Sequence, residues 1–328
     1  MKSEKTTMDN IAKALGISAI SVSRALNDQA GVSKDLKNKI FAKAEELSYT
    51  KFKDLEKLNI LVLHAKPYFQ DNSNFSFKVQ SIEKYLQRLG ANYRVEFVSE
   101  EAQALDAPSL NLNKETFQGV IFIGRFSDSY TLRIKERIKN QVYYTGYSSS
   151  FDGDLVWFNF NSGGYKMCEY LIKKGHKNIG FLGSSLIFKN REKVLGITTA
   201  LEAYFLPVNP ELFVYTGEDF EKGVAELLSH LGNSGAIICQ YDYTAIRLIK
   251  ELHRLGIKVP EDISVIGSGN TELASLAIPS LTTLDLNIEY SCEAAVDLLV
   301  KRIQRPTKPY ENITINSFLV ERDSVREV

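Results

Sequence analysis

Thr7-Met8-Asp9-Asn10-Ile11-Ala12-Lys13-Ala14-Leu15-Gly16-Ile17-Ser18-Ala19-Ile20-Ser21-Val22-Ser23-Arg24-Ala25-Leu26-Asn27, running on through Gly31-Val32-Ser33 to Leu47-Ser48-Tyr49, is the stretch on which the reading of this chain turns. Thr7 is suited to cap a helix, with Asn10 at its third position, and Ile11, Ala12 and Leu15 follow at helical spacing. Gly16 can take the left-handed conformation that ends a helix. Ser18 offers the cap of a second helix, on which Val22, Ala25 and Leu26 share one face. A gap of three or four residues between two such helices is the spacing of a helix-turn-helix. Asn27 to Ser33 then lead into a third helix, 34–47, with Leu36, Ile40, Phe41, Ala44 and Leu47 apolar.

Around this head the composition sets bounds. A chain of 328 residues with 44% hydrophobic and 24% charged residues has room for the head plus one or two larger domains. Net charge is zero, but residues 1–57 carry 11 Lys/Arg against 8 Asp/Glu, a mild positive bias that suits a polyanion. Cys168, Cys239 and Cys292 are isolated and odd in number, which suits reduced core thiols in the cytosol. The N-terminal residues Lys2 to Thr7 precede no apolar signal region, and no apolar run approaches the ~18 residues of a membrane span. A cytoplasmic protein without membrane contact is expected.

Thr50 to Lys57 reads as a short charged bridge, and from Leu58 the pattern becomes alternating strands and helices. The run Asn59 to His64 has a continuous apolar centre, Ile60 to Leu63, as buried parallel strands have. Further strands are expected at 93–98, 119–124, 142–145, 155–160, 178–182, 212–215, 236–239, 263–266 and 281–286. Helices are expected at 77–89, 130–139, 162–174, 191–204, 220–231, 242–255 and 288–304. Residues 100–116 read as a loop. Such alternation predicts an α/β core of parallel sheets with helices on both faces.

Ile11-Ala12, Gly16-Ile17-Ser18, Val22 to Asn27, Val32-Ser33 and Leu47-Ser48-Tyr49 together resemble, without an internal gap, the opening of the lactose/galactose repressor (LacI/GalR) family. Leu171 to Gly183, Gly256 to Gly267 and Pro279 to Leu284 resemble later segments of the same family. The resemblance implies a three-helix head on a two-lobed, periplasmic-binding-protein-like core. Residues 1–50 would form the head, 51–58 the link and 59–328 the core. Lobe one would comprise about 59–160 plus 288–310, and lobe two about 161–287 plus 311–328. The resemblance further implies a homodimer on a pseudo-palindromic DNA operator, repression of carbohydrate genes, and a sugar-like effector whose binding sets the angle between the lobes.

In a helix-turn-helix the second helix enters the major groove with its first residues against base edges. Ala19, Ile20 and Ser21 stand there, followed by Ser23 and Arg24. Ala19 and Ile20 would read thymine methyls by apolar contact. Arg24 and Asn27 carry over as base or phosphate contacts, and the hydroxyls of Thr7, Ser18 and Ser33 would face phosphates from helix N-termini. The link departs from the family pattern. It is shorter, lacks proline and places Asp54 and Glu56 where phosphates would repel them, so a minor-groove wedge would fall to Leu55 or Leu58.

For the cleft, the resemblance assigns ligand contacts to Arg191, Tyr241, Asp242 and Asn270. Gly269 stands where the family has a sugar-binding aspartate. Trp157, Phe220 and Tyr241 offer rings for stacking. A core that answers to a phosphocarrier protein rather than a free sugar is the alternative. An enzyme is not expected. No phosphate loop, cofactor fingerprint or metal-ligand spacing is present, and His64, His176, His230 and His253 are scattered.

Overall fold

The computed structural model describes residues 7–26, 31–47, 58–66, 75–104, 116–146, 153–185, 187–232 and 235–328. The chain divides into two units, Met1–Lys57 and Leu58–Val328.

The first unit contains α1 (Met8–Leu15), α2 (Ala19–Leu26) and α3 (Lys34–Glu46). Thr7 and Asn10 cap α1 reciprocally. Thr7 Oγ1 accepts the Asn10 N–H at 3.3 Å, and Asn10 Oδ1 accepts the Thr7 N–H at 2.7 Å. Gly16, at φ 65° and ψ 32°, turns the chain out of α1. Ile11, Ala12, Val22, Ala25, Leu26, Ile40 and Ala44 then close a small core. The helix spacing read from the sequence is the spacing found.

In the second unit, lobe one is built from β1 (Asn59–Ala65), α4 (Phe75–Leu89), β2 (Asn92–Val98), α5 (Glu100–Ala104), β3 (Gly119–Ile123), α6 (Asp128–Arg137), β4 (Gln141–Tyr144) and β5 (Asp154–Phe158). Lobe two follows with α7 (Phe160–Lys173), β6 (Ile179–Gly183), α8 (Phe188–Ala203), β7 (Phe213–Tyr215), α9 (Phe220–Leu231), β8 (Ala236–Cys239), α10 (Asp242–Arg254), β9 (Ser264–Ser268), α11 (Glu272–Leu276) and β10 (Thr282–Asp285). The chain then returns to lobe one for α12 (Ile288–Gln304) and β11 (Asn312–Ile315), and ends its strands in lobe two with β12 (Phe318–Val320).

The sheets run β11-β5-β4-β3-β1-β2 and β12-β10-β9-β8-β6-β7. Every pairing is parallel except β10 with β12, whose register sets Leu284 opposite Leu319. β1 and β3, like β6 and β8, are neighbours from which the chain winds in opposite directions. The carboxyl ends of strands at such a switch point open a ligand crevice.

Two results differ from the sequence reading. Residues 312–315 pair with β5 and so belong to the first sheet, whereas residues from 311 onward were expected in lobe two. The last crossing therefore falls at Asn316 and Ser317. The stretch expected as a loop from 100 contains α5, and α11 follows β9 unannounced.

Three crossings join the lobes, and an asparagine sits on each. Asn159 Nδ2 donates to Asn316 Oδ1 at 3.0 Å, and Asn287 Nδ2 donates to the Asn316 carbonyl at 2.8 Å. In lobe two, α7 and α8 approach so closely that a methyl on Gly164 would strike the Lys193 carbonyl and one on Gly196 the Asn161 carbonyl. In lobe one, Asp154 is fully buried at the start of β5. Its carboxylate accepts from Arg302 Nε (2.6 Å) and Nη2 (3.0 Å), from Lys308 Nζ (2.7 Å) and from the Glu311 N–H (2.9 Å).

Candidate nucleic-acid surface and effector cleft

On the head, burying Val22, Ala25 and Leu26 turns the opposite face of α2 outward. Ile20 is 67% exposed there, with Arg24 exposed one turn later. Ala19 packs partly against the head core, so the pair expected to meet bases together is split and Ile20 carries the outward apolar surface. Ser21 and Ser23 are half-buried. Ser18 Oγ accepts the Ser21 N–H at 3.1 Å and lies 2.9 Å from Ser21 Oγ, while Ser33 Oγ accepts the Leu36 N–H at 3.3 Å. Thr7, Ser18 and Ser33 thus mark three helix N-termini, where partial positive charge favours an anion. Asn27 and Leu55 lie outside the described residues. Leu58 is half-buried, and its carbonyl accepts the Asn92 N–H at 2.8 Å, which ties its backbone to the first sheet.

At the carboxyl ends of β6 and β8, where the topology opens a crevice, a buried polar network is organised by Gln240, directly after β8. Its Oε1 accepts the Ser184 N–H (3.0 Å) and Asn190 Nδ2 (2.7 Å), joining the end of β6 to the first turn of α8. Lys193, fully buried one turn further on, donates to the Gln240 carbonyl and to Ser268 Oγ (3.1 Å). Its ammonium lies 5.2 Å from the Tyr241 ring centre and 5.7 Å from that of Phe160. Asn190 Oδ1 is buried with no hydrogen-bond donor among the described residues. This polar floor was not anticipated. Asn190, Lys193, Gly196, Ile197 and Ala200 form a buried stripe at three- and four-residue spacing, and that periodicity was the available signal.

Of the expected ligand residues, Asp242 and Asn270 are linked through Thr283, whose hydroxyl accepts the Asn270 N–H at 3.3 Å and donates to Asp242. Arg191 is exposed, and its charge acts on the Tyr215 phenol. Phe220 is buried in the lobe-two core with the Arg247 guanidinium 4.0 Å above its ring. Asp242 is fully buried and accepts the Thr271 N–H (2.7 Å), the Thr271 hydroxyl (2.9 Å) and the Thr283 hydroxyl. Burial pushes its carboxyl above the usual carboxylate range, against the pull of those donors and of Lys193. Asn270 donates to Asp285 at 2.7 Å and accepts from Arg322 at 2.7 Å. Gly269 has φ 139°, a conformation that side chains rarely adopt, so backbone geometry accompanies the missing aspartate. Trp157 is half-buried on β5. A cavity of about 870 Å³ opens between α4 and the β9–α11 turn, lined among others by Phe77, Gln80, Asn270 and Glu272.

Asp242→Ala is expected to lower stability by about 1–3 kcal/mol, because the Thr271 N–H loses its buried acceptor while the two hydroxyls can rotate to others. Urea denaturation of the two proteins measures this directly.

A helix-turn-helix unit on the same chain as a two-lobed α/β core defines a class, a DNA-binding regulator with a periplasmic-binding-protein-like domain. Residues 7–51 match the bacterial regulatory proteins of the lacI family, and residues 168–325 match the periplasmic binding protein-like domain. Over its whole length the chain is similar to the ribose operon repressor of Haemophilus influenzae (26% identity, covering 97% of this chain and 98% of the relative). It is also similar to the transcriptional repressor PurR of Klebsiella pneumoniae (25%, 98% and 97%). Among solved structures, the Lac repressor dimer bound to operator and an anti-inducer superposes with a TM-score of 0.68 at 22% identity, over 98% of this chain and 100% of that one. A LacI-family regulator from Enterococcus faecium with bound ribose gives 0.70 at 23%, over 82% and 99%. The chain thus carries a lacI-family helix-turn-helix domain and a periplasmic binding protein-like domain, the pairing found in LacI-type regulators. Among the described residues no helix is long and apolar enough to cross a membrane, and no group of three His, Cys, Asp or Glu is placed to hold a metal.

Proposed function

We propose that this protein is a cytoplasmic, homodimeric repressor of carbohydrate-utilisation genes rather than an enzyme, released from its operator by a small sugar-like effector in the interlobe cleft. The observation that carries the reading is the outer face of α2, where Ile20 and Arg24 stand clear of a head core that needs neither. Two such heads would read a pseudo-palindrome, with residues 1–50 as the reading domain and 51–58 as the link. For the cleft, Lys193, Asn190 and Gln240 supply a buried polar network at the strand ends, in which Asn190 Oδ1 is an acceptor still open to a ligand hydroxyl. The ribose operon repressor relatives and the ribose-bound neighbour favour a small-molecule effector over a phosphocarrier protein. An effector acts by preferring one lobe arrangement over the other.

The test is binding of the purified protein to the DNA flanking its own gene, with ribose, galactosides, glucosides and their phosphates in turn. Nanomolar binding reversed by one sugar is expected and names the inducer. Binding that no sugar disturbs would overturn the small-sugar reading, and absence of DNA binding would overturn the repressor reading.

A further inference from the structure

Trp157 is the chain's single tryptophan. It lies on β5, two residues before the crossing at Asn159. Its indole Nε1 donates at 2.9 Å to Thr314 Oγ1 on β11, two residues before the crossing at Asn316. One side chain thus ties together two of the strands that leave lobe one. The same ring stacks on Phe188, the first residue of α8 in lobe two, with centroids 5.5 Å apart and planes 23° from parallel. This is an aromatic contact from one lobe to the other, at the edge where the lobes are joined.

Phe188 is also well placed to transmit. Ile187 at the N-cap of α8 makes no side-chain cap hydrogen bond, so packing positions the start of that helix. Two and five residues further along the same rigid helix, Asn190 and Lys193 reach Gln240 and Ser268 on the cleft floor. A shift of Phe188 away from Trp157 moves the helix turn that carries those groups.

We propose that Phe188 is a built-in occupant of the Trp157 face, that the stack latches lobe two onto lobe one, and that the effector's ring opens the latch by displacing Phe188. The latch stands on the geometry alone, and the displacement rests on the sugar-effector reading above. An aromatic pair of this kind shifts the ratio of latched to unlatched protein about two- to tenfold.

Because Trp157 is alone, its emission reports this one contact. The full chain and its Phe188→Leu and Phe188→Tyr variants are compared, without effector, by acrylamide quenching and by small-angle scattering. Circular dichroism serves as the check on folding. For Phe188→Leu the quenching constant is expected to rise at least twofold and the interlobe distance to lengthen. Phe188→Tyr, which keeps a ring, should stay at the wild-type values. A folded Phe188→Leu protein with unchanged quenching, or with raised quenching but unchanged scattering, overturns the latch. A sugar that releases DNA is expected to bind Phe188→Leu about two- to tenfold more tightly than wild type, and equal affinity overturns displacement. If no sugar releases DNA, the effector reading and the displacement step fall together, while quenching and scattering still decide the latch.

Discussion

Replacing Asp154 with alanine is expected to cost the core about 3–5 kcal/mol, the typical effect of leaving a buried partner charge uncompensated. Arg302 is buried beside it and spends its remaining donors on the carbonyls of Pro306, Lys308 and Pro309, so it has no route to water without dismantling that turn. Lys308 and the Glu311 N–H lose the same acceptor. The urea midpoint of the core transition measures the loss.

The pH dependence of this site has a defined sign. Burial alone would raise the Asp154 carboxyl, but the hydrogen bonds from Arg302, Lys308 and the Glu311 N–H outweigh it and hold the group below the usual carboxylate range. A depressed folded-state value means stability that is complete above the unfolded-state pKa of about 3.9 and is lost as pH falls through the lower folded value. Asp154→Asn should therefore be less stable than wild type at neutral pH, and the gap should close in acid.

The second large effect is expected at the DNA. Ile20→Ala removes the outward apolar surface of α2, while the packed face of that helix stays as it is. Discrimination at one base pair is typically worth about 1–3 kcal/mol, so a dimer on two half-sites should lose about 2–6 kcal/mol of preference for its operator over a substituted one. Arg24→Ala should behave differently if the guanidinium meets phosphate. It would weaken binding to all sequences alike and flatten the salt dependence by about one unit per head. Titrations of operator and mutated operator at two salt concentrations separate the variants. An Ile20→Ala protein with undiminished discrimination would remove Ile20 from the reading surface.

The sequence made the head and the sheets legible for physical reasons. In the head, capping residues and apolar residues at helical spacing agree with each other, as Thr7, Asn10, Ile11, Leu15 and Gly16 do within ten positions. The central strands are buried on both faces, so β1, β3 and β8 read as uninterrupted apolar runs. β11 offers no such run, because Asn312 and Thr314 alternate with Ile313 and Ile315 at a sheet edge. Its partner was therefore invisible. The cleft was the least legible part. A lysine is ordinarily read as solvent-facing, yet Lys193 is enclosed where a carbonyl, a hydroxyl and two rings receive it. Phe220 was expected to face ligand and instead fills the lobe-two core, a distinction that residue type alone does not make.

The path of the chain between the lobes has a consequence for synthesis. β5 is made early, but the strand that pairs with it, the cations that neutralise Asp154 and the amide that completes its coordination all come from residues 302–315. During translation lobe one therefore emerges with an open edge and a carboxylate destined for burial but still lacking its partners. Lobe two has β6 to β10 contiguous in the chain and waits only for its edge strand β12. The lobe that begins first stays open until β11 arrives, a few residues before β12 completes the second sheet, and the ribosome must deliver nearly the whole chain before the first lobe can shut.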